Sequence, residues 1–198
     1  MLIQLTTVKA RLQILDTDNT YDALLTNAIK AISARFDKET ARRLARTEDA
    51  TFEFPPDLRE LCPPCYPIET VAKLETKSTE ADGWQEKTGI DYIIRSGCVI
   101  SLSSAISYLP SSTSSALARV TYTGGYLLPG ATPGPGQTPL PDDLEQAAVE
   151  QVAFWFQNRE HLGLKTYWPA GVAYEQFAAL DLLDSVKAVL SHHRRWAI

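Results

Sequence analysis

Two cysteines stand at the spacing of a redox or metal motif, in Cys62-Pro63-Pro64-Cys65. A CxxC dithiol is reactive when its first cysteine opens a helix behind a strand, because the helix dipole then lowers the thiol pKa. Here the short segment Asp57–Leu61 precedes the motif, and Tyr66-Pro67 and a strand-like run follow, so no helix is expected to begin at Cys65. A zinc site needs a second ligand pair. Cys98 and the distant His161 offer single ligands and no second close pair. The motif therefore reads as two small thiols in a proline-rich linker, with a cytosolic thiol-redox enzyme built on Cys62 and Cys65 as the rival reading.

Other chemistry is weaker. His161, His192 and His193 lack the spacing of HExxH or of any other ligand set. The serine-rich stretch 101–115 has no Gly-x-Ser-x-Gly elbow. Neither a GxxxxGK[ST] loop nor a GxGxxG is present, and Gly124-Gly125 reads as the exit from a strand. The paired acids Asp142-Asp143 and Asp181 with Asp184 fall where helix starts and exposed faces want them. No residue is assigned a catalytic, metal-binding or cofactor-binding role, and no enzyme activity or cofactor is expected.

The elements that would position these residues form four zones in one 198-residue domain. With 44% hydrophobic residues the chain can bury a core without disulfides or metal. Residues 1–48 read as helical: Thr6 or Thr7 caps a helix with Val8, Leu12 and Leu15 on one face. A turn at Asp16–Thr20 then leads to a helix with Tyr21, Leu24, Leu25, Ala28, Ile32 and Phe36 on one side. Residues 49–126 change to period two. Ile68–Lys77 reads as a half-buried strand with Ile68, Thr70, Ala72 and Leu74 on one face. Trp84–Lys87 pairs back on it, a tight hairpin turns at Ser96-Gly97, and a final strand carries Ala118, Val120 and Tyr122. Residues 127–140 form a loop in which no regular element is expected, since five prolines and three glycines lie between Pro129 and Pro141. Residues 141–198 return to helix. Leu144, Ala148, Val152, Trp155 and Arg159 lie along one stripe, and a last helix carries Phe177, Leu180, Leu183, Val186 and Leu190. The expected fold is thus α+β: a helical bundle of about four helices with a small antiparallel sheet inserted.

Nineteen Lys and Arg face twenty-four Asp and Glu, a net charge of -5. A nucleic-acid binder is usually basic overall. The rival here is local: Arg35, Lys38, Arg42, Arg43 and Arg46 against only Asp37 and Glu39, together with Arg194-Arg195. No apolar run reaches 18 residues, and MLIQLTTVKARLQIL has no signal-peptide pattern, so a cytosolic product without a membrane span is expected.

Three stretches together resemble the head-tail connector, or adaptor, proteins of long-tailed bacteriophages and related gene transfer agents. They are Val120-Thr121-Tyr122-Thr123-Gly124-Gly125-Tyr126, then Leu140-Pro141-Asp142-Asp143-Leu144-Glu145-Gln146-Ala147, then Val152–Glu160. Leu2-Ile3, Val8–Leu12 and the acidic turn before the long helix from Asp22 fit the same pattern. The resemblance implies a virion neck protein, assembled in the bacterial cytoplasm, that forms a homo-oligomeric ring of about twelve copies under the portal protein. Such a ring would extend the DNA channel, meet a head-closure (stopper) or tail protein, and let double-stranded DNA pass without specific binding. The net negative charge suits that passage, because every phosphate neutralised would slow the DNA.

Within that frame the very apolar helix from Leu144 points to Trp155, Phe156 and Arg159 as subunit-interface residues. The tail His192, His193, Arg194, Arg195 and Trp196 would dock on the portal, since Trp and Arg are common interface anchors.

Overall fold

The computed structural model describes residues 1–106, 116–160 and 181–195. The chain divides into two compact units: Met1–Thr40 with Leu140–Arg194, and Ala41–Pro139 with Arg195–Ile198.

The first unit contains four helices among its described residues: α1 (Leu5–Leu12), α2 (Asp22–Thr40), α3 (Asp142–Gln157) and α4 (Asp184–His192). Helix α1 starts before Thr6 and Thr7, so neither caps it. It stops at Gln13, whose φ of +58° is left-handed, and Ile14 N–H returns to Lys9 O at 2.9 Å. That stop takes Leu15 off the expected face. Val8 is buried, whereas Leu15 is 75% exposed. In α2 the buried stripe is Leu25, Ile29, Ile32, Phe36 and Thr40. Helix α3 buries Leu144, Ala147, Ala148, Val149, Gln151, Val152 and Ala153, which covers most of its apolar surface inside its own unit. Buried Gln151 fastens the returning chain: its Nε2 donates to Asp181 O at 3.4 Å and its Oε1 accepts Leu183 N–H at 2.8 Å. Phe177 and Leu180 lie outside the described residues, and α4 itself buries Val186 and Leu190.

The second unit is built from strands: β1 (Thr47–Phe54), β2 (Glu60–Leu61), β3 (Ile68–Lys77), β4 (Gln85–Glu86), β5 (Tyr92–Arg95), β6 (Val99–Leu102), β7 (Leu117–Gly124), β8 (Tyr126–Leu127) and β9 (Thr138–Pro139). They form a four-stranded sheet ordered β1-β7-β3-β4, a three-stranded sheet ordered β2-β6-β5, and the parallel pair β8-β9. This corrects the expected helical bundle carrying a small sheet. The strands make a unit with its own core, in which Tyr122, Val120, Ala118, Leu61, Cys65 and Ile100 are buried.

The expected helix through residue 48 is also corrected. Helix α2 ends at Thr40, Ala41 takes φ +52°, and β1 begins at Thr47. Strand β3 spans the expected residues, but its expected face does not hold. Register shifts between Ile68 and Thr70 and between Val71 and Lys73 leave Thr70 and Ala72 exposed while Ile68 and Leu74 stay buried. The hairpin β5-β6 turns at Ser96 and Gly97, both at positive φ. The proline-rich loop is closed at its base by β8-β9, a short parallel pair where no regular element is expected from composition.

Gly124 and Gly125 have no room for a side chain. A Cβ on Gly124 would lie 2.5 Å from Cys65 O and 2.8 Å from Pro67 O. On Gly125, at φ +100°, it would lie 2.7 Å from Ala45 O. Gly124→Ala is therefore expected to destabilise the β-unit by about 2–4 kcal/mol, measured as a lowered urea midpoint, with Gly134→Ala in the exposed loop as a near-neutral control.

Candidate functional site

Both cysteines of the CxxC motif belong to the β-unit, and they do different things. Cys65 is fully buried. Its N–H donates to the Tyr122 hydroxyl at 3.1 Å, and its thiol donates to Gly124 O at 3.0 Å. Burial pushes the Cys65 thiol up, against smaller lowering effects from Thr47 and the nearby Arg43 and Arg42. Burial likewise raises the Cys62 thiol, with Cys98 adding to the shift. Burial carries the Tyr122 phenol to about 12. These shifts run opposite to what a nucleophilic dithiol needs. Among the described residues no group of three His, Cys, Asp or Glu could hold a metal ion, and no helix is long and apolar enough to cross a membrane. His161 lies outside the described residues.

The local basic stretch is largely consumed by the protein. Arg42 is buried, its guanidinium 3.4 Å from the Tyr66 ring centroid and 5.3 Å from that of Tyr126. Its Nη2 donates to Tyr66 O at 2.5 Å. Arg46 bridges Glu69 (2.8 Å) and Glu48 (2.6 Å). Arg35 reaches Asp181 at 2.6 Å, and Lys187 meets the same carboxylate at 2.7 Å. Periodicity showed five cations on one stretch. It could not show that the helix ends at Thr40 and delivers Arg42 and Arg46 into a different unit.

The residues read from the sequence as interface candidates fall into two groups. At the end of α3, Trp155 and Phe156 are half-buried. Phe156 meets Tyr21 edge-on with centroids 5.1 Å apart. The Arg159 guanidinium lies 4.6 Å from the Phe156 ring and 5.6 Å from the Tyr21 ring. The indole Nε1 of Trp155 is buried with no hydrogen-bond partner. The second group makes contacts in both units. His193 Nε2 lies 2.8 Å from Asp143 Oδ2 in the helical unit. Arg195 belongs to the β-unit, where its Nη2 donates to Cys62 O and its guanidinium lies 5.6 Å from the Phe52 ring. His192 and Arg194 are exposed, and Trp196 lies outside the described residues. Sequence reasoning missed a cleft of about 390 Å³ in the β-unit, lined by Phe52, Leu58, Leu61 and Arg195 among others. Its parts are far apart in sequence, and only an exposed leucine beside an arginine could have hinted at it.

Taken together, the described residues define a mixed helix-and-sheet scaffold whose distinctive side chains are engaged mainly in packing and internal pairing. Solved structures share this fold. A chain from the neck of an empty GTA particle computed with C6 symmetry is 16% identical, at a TM-score of 0.60 over 100% of this chain and 91% of that one. A chain from the neck of a native GTA particle computed with C12 symmetry is 18% identical, at a TM-score of 0.52 over 89% and 84%. A chain from the virion of a native gene transfer agent (GTA) particle is 17% identical, at a TM-score of 0.54 over 100% and 91%. At these identities the likeness is one of fold. No protein-family model matches the sequence, and no curated protein matches it.

Two outcomes are expected. In Cys98→Ser protein, neither remaining thiol should react with iodoacetamide appreciably below pH 8; a fast low-pH phase would restore the enzyme reading. For Asp143, partial burial favours the neutral acid, but hydrogen bonding and attraction to His193 outweigh it and hold the carboxyl below its ordinary 3.8. A depressed folded-state pKa contributes stability above the unfolded value, and that contribution is lost as pH falls through the folded one. Wild-type protein should therefore lose an increment of stability on acidification through the carboxylate range that Asp143→Asn lacks, read from thermal midpoints across pH.

Proposed function

We propose that this chain is a structural, non-catalytic neck protein of a virion, a head-tail connector that stands as an oligomeric ring under the portal and extends the DNA channel. The observation that carries the reading is the fold likeness, over 89–100% of the chain, to chains of gene transfer agent necks and virions. Two of those necks were computed with C6 and C12 symmetry, which fits a ring. Raised thiol pKa values and internally paired arginines support a protein that neither turns over a substrate nor grips its DNA.

In this reading the two units make one adaptor. Trp155, Phe156 and Arg159 serve contacts between subunits. The portal meets the exposed tail residues His192 and Arg194, followed by Trp196. Head-closure or tail proteins take the other end of the ring, and double-stranded DNA passes without specific contacts.

The test is binding to purified portal protein, with ring formation followed by negative-stain imaging. Full-length protein should form rings on the portal. The variant His192→Glu/Arg194→Glu/Trp196→Ala, which keeps Arg195, should bind roughly tenfold more weakly at low salt and less so at high salt, since basic side chains steer the encounter and salt screens them. Equal binding of both forms at both salt concentrations removes these residues from the portal contact. Absence of rings from the wild-type protein, alone and with portal, overturns the neck reading.

A further inference from the structure

The helical unit holds out a leucine that its own core does not use. Leu15 is 75% exposed at the turn between α1 and α2, followed by exposed Asp16, Thr17 and Asp18. The turn is firmly built. Asp18 N–H donates to Leu15 O at 2.9 Å, and Thr20 N–H donates to Asp18 Oδ1 at 2.9 Å. Buried Lys9 donates from Nζ to Asp16 O at 3.2 Å and pairs with Asp22 at 2.5 Å. An aliphatic side chain with two carboxylates beside it is thereby fixed outward.

The β-unit has the complement. Its cleft of about 390 Å³ has apolar walls from Phe52, Leu58 and Leu61, with Glu60, Cys62 and Arg195 at the polar side. Leu58 remains 45% exposed. Glu60 is already paired with Arg95 at 2.9 Å. Arg195 Nη2 donates to Cys62 O, and among the described residues its guanidinium faces the Phe52 ring and no carboxylate. A guanidinium charge without a carboxylate suits an anionic partner, and the walls beside it suit an aliphatic group.

We infer that the Leu15 turn of one copy seats in this cleft of a second copy, with Leu15 against Phe52 and Leu58 and the carboxylate of Asp16 or Asp18 on Arg195. The inference rests on the neck-ring reading and deepens it by naming a contact between neighbouring subunits. Both halves of the match lie on this chain, with opposite charge and matching apolar character, which favours a second copy over another protein. The contact joins two different surfaces, so each copy offers a free turn and a free cleft to the next. That is the heterologous geometry a ring requires, whereas a contact between identical surfaces would stop at a dimer.

Cys62 makes the contact testable by cross-linking. Full-length Leu15→Cys protein is treated with diamide, which accepts two electrons and two protons as two thiols join in a disulfide. The expected product is a ladder of dimers and higher multimers on a non-reducing gel, collapsed by dithiothreitol. The ladder should be absent from Leu15→Cys/Cys62→Ser and from Leu24→Cys, which places a thiol at a different exposed leucine. Arg195→Glu should reduce ladder yield about tenfold, the effect of losing one strong interface anchor. Adding Asp16→Arg to that chain, which leaves the Asp18–Thr20 bond of the turn in place, should restore the yield, with unchanged circular dichroism throughout. Rings by negative stain without a Cys62-dependent ladder overturn this inference and leave the neck reading standing. A ladder from protein that forms no ring, alone or on portal, upholds the contact and overturns the neck reading.

Discussion

The end of β7 is held by backbone against backbone, and the β-unit depends on that contact. Gly125 N–H donates to Pro67 O, Tyr126 N–H to Leu44 O, and Arg46 N–H to Tyr126 O, each at 2.8 Å. Side chains cannot substitute for these bonds, because the chains are too close for a Cβ. Once the strand end is fixed, Tyr122 reaches the Cys65 N–H, Cys65 reaches Gly124 O, and Tyr126 is placed beside Arg42. The Cys62-Pro63-Pro64-Cys65 segment, which suggests reactivity when read alone, thus acts as one wall of a backbone slot. Its prolines need no hydrogen-bond donor of their own, and Pro64 O accepts Arg43 N–H at 3.0 Å.

The elements that could be read in the sequence are those whose signal is local. Strand β3, the Ser96-Gly97 hairpin and α3 all follow from periodicity and turn chemistry within a dozen or so residues. What could not be read depends on partners distant in the chain. The face of β3 is set by two register shifts against β7, which period-two counting cannot see. The boundary at Thr40 is invisible because Ala41-Arg42-Arg43 has ordinary helix propensity, and the chain leaves the helix to bury Arg42 between two tyrosines. The size of the β-unit is underestimated for the same reason: β2, β8 and β9 are two residues each and carry no pattern of their own, whereas β4 falls within the expected Trp84–Lys87 strand. Of the residues proposed for contacts, the α3 aromatics are legible as an apolar excess. The cleft beside Arg195 is not, since it joins a tail residue to strands more than a hundred positions earlier.

The fate of the arginines connects composition with function. A chain with 19 basic side chains could present a field that holds a polyanion. Here Arg35, Arg46 and Arg119 face acids at 2.6–2.8 Å. Arg119 also lies 4.1 Å from the Trp84 ring, beside Lys77 at 5.0 Å. Charge is used at short range to fix side chains, and what extends beyond the surface is the acidic excess of the whole chain.

Among the described residues, strand β1 lies at the edge of its sheet, its one paired strand being β7. An open edge eight residues long is a template on which further strands can stack without limit. This edge is interrupted: the register slips between Thr47 and Ala50, Asp49 sits at φ +51°, and Glu48, Asp49 and Glu53 are exposed. The kink spoils the row of backbone donors and acceptors, and the like charges repel a second copy laid alongside. Such an edge does not template open-ended stacking of strands, so a concentrated solution of the chain is held back from growing by this route.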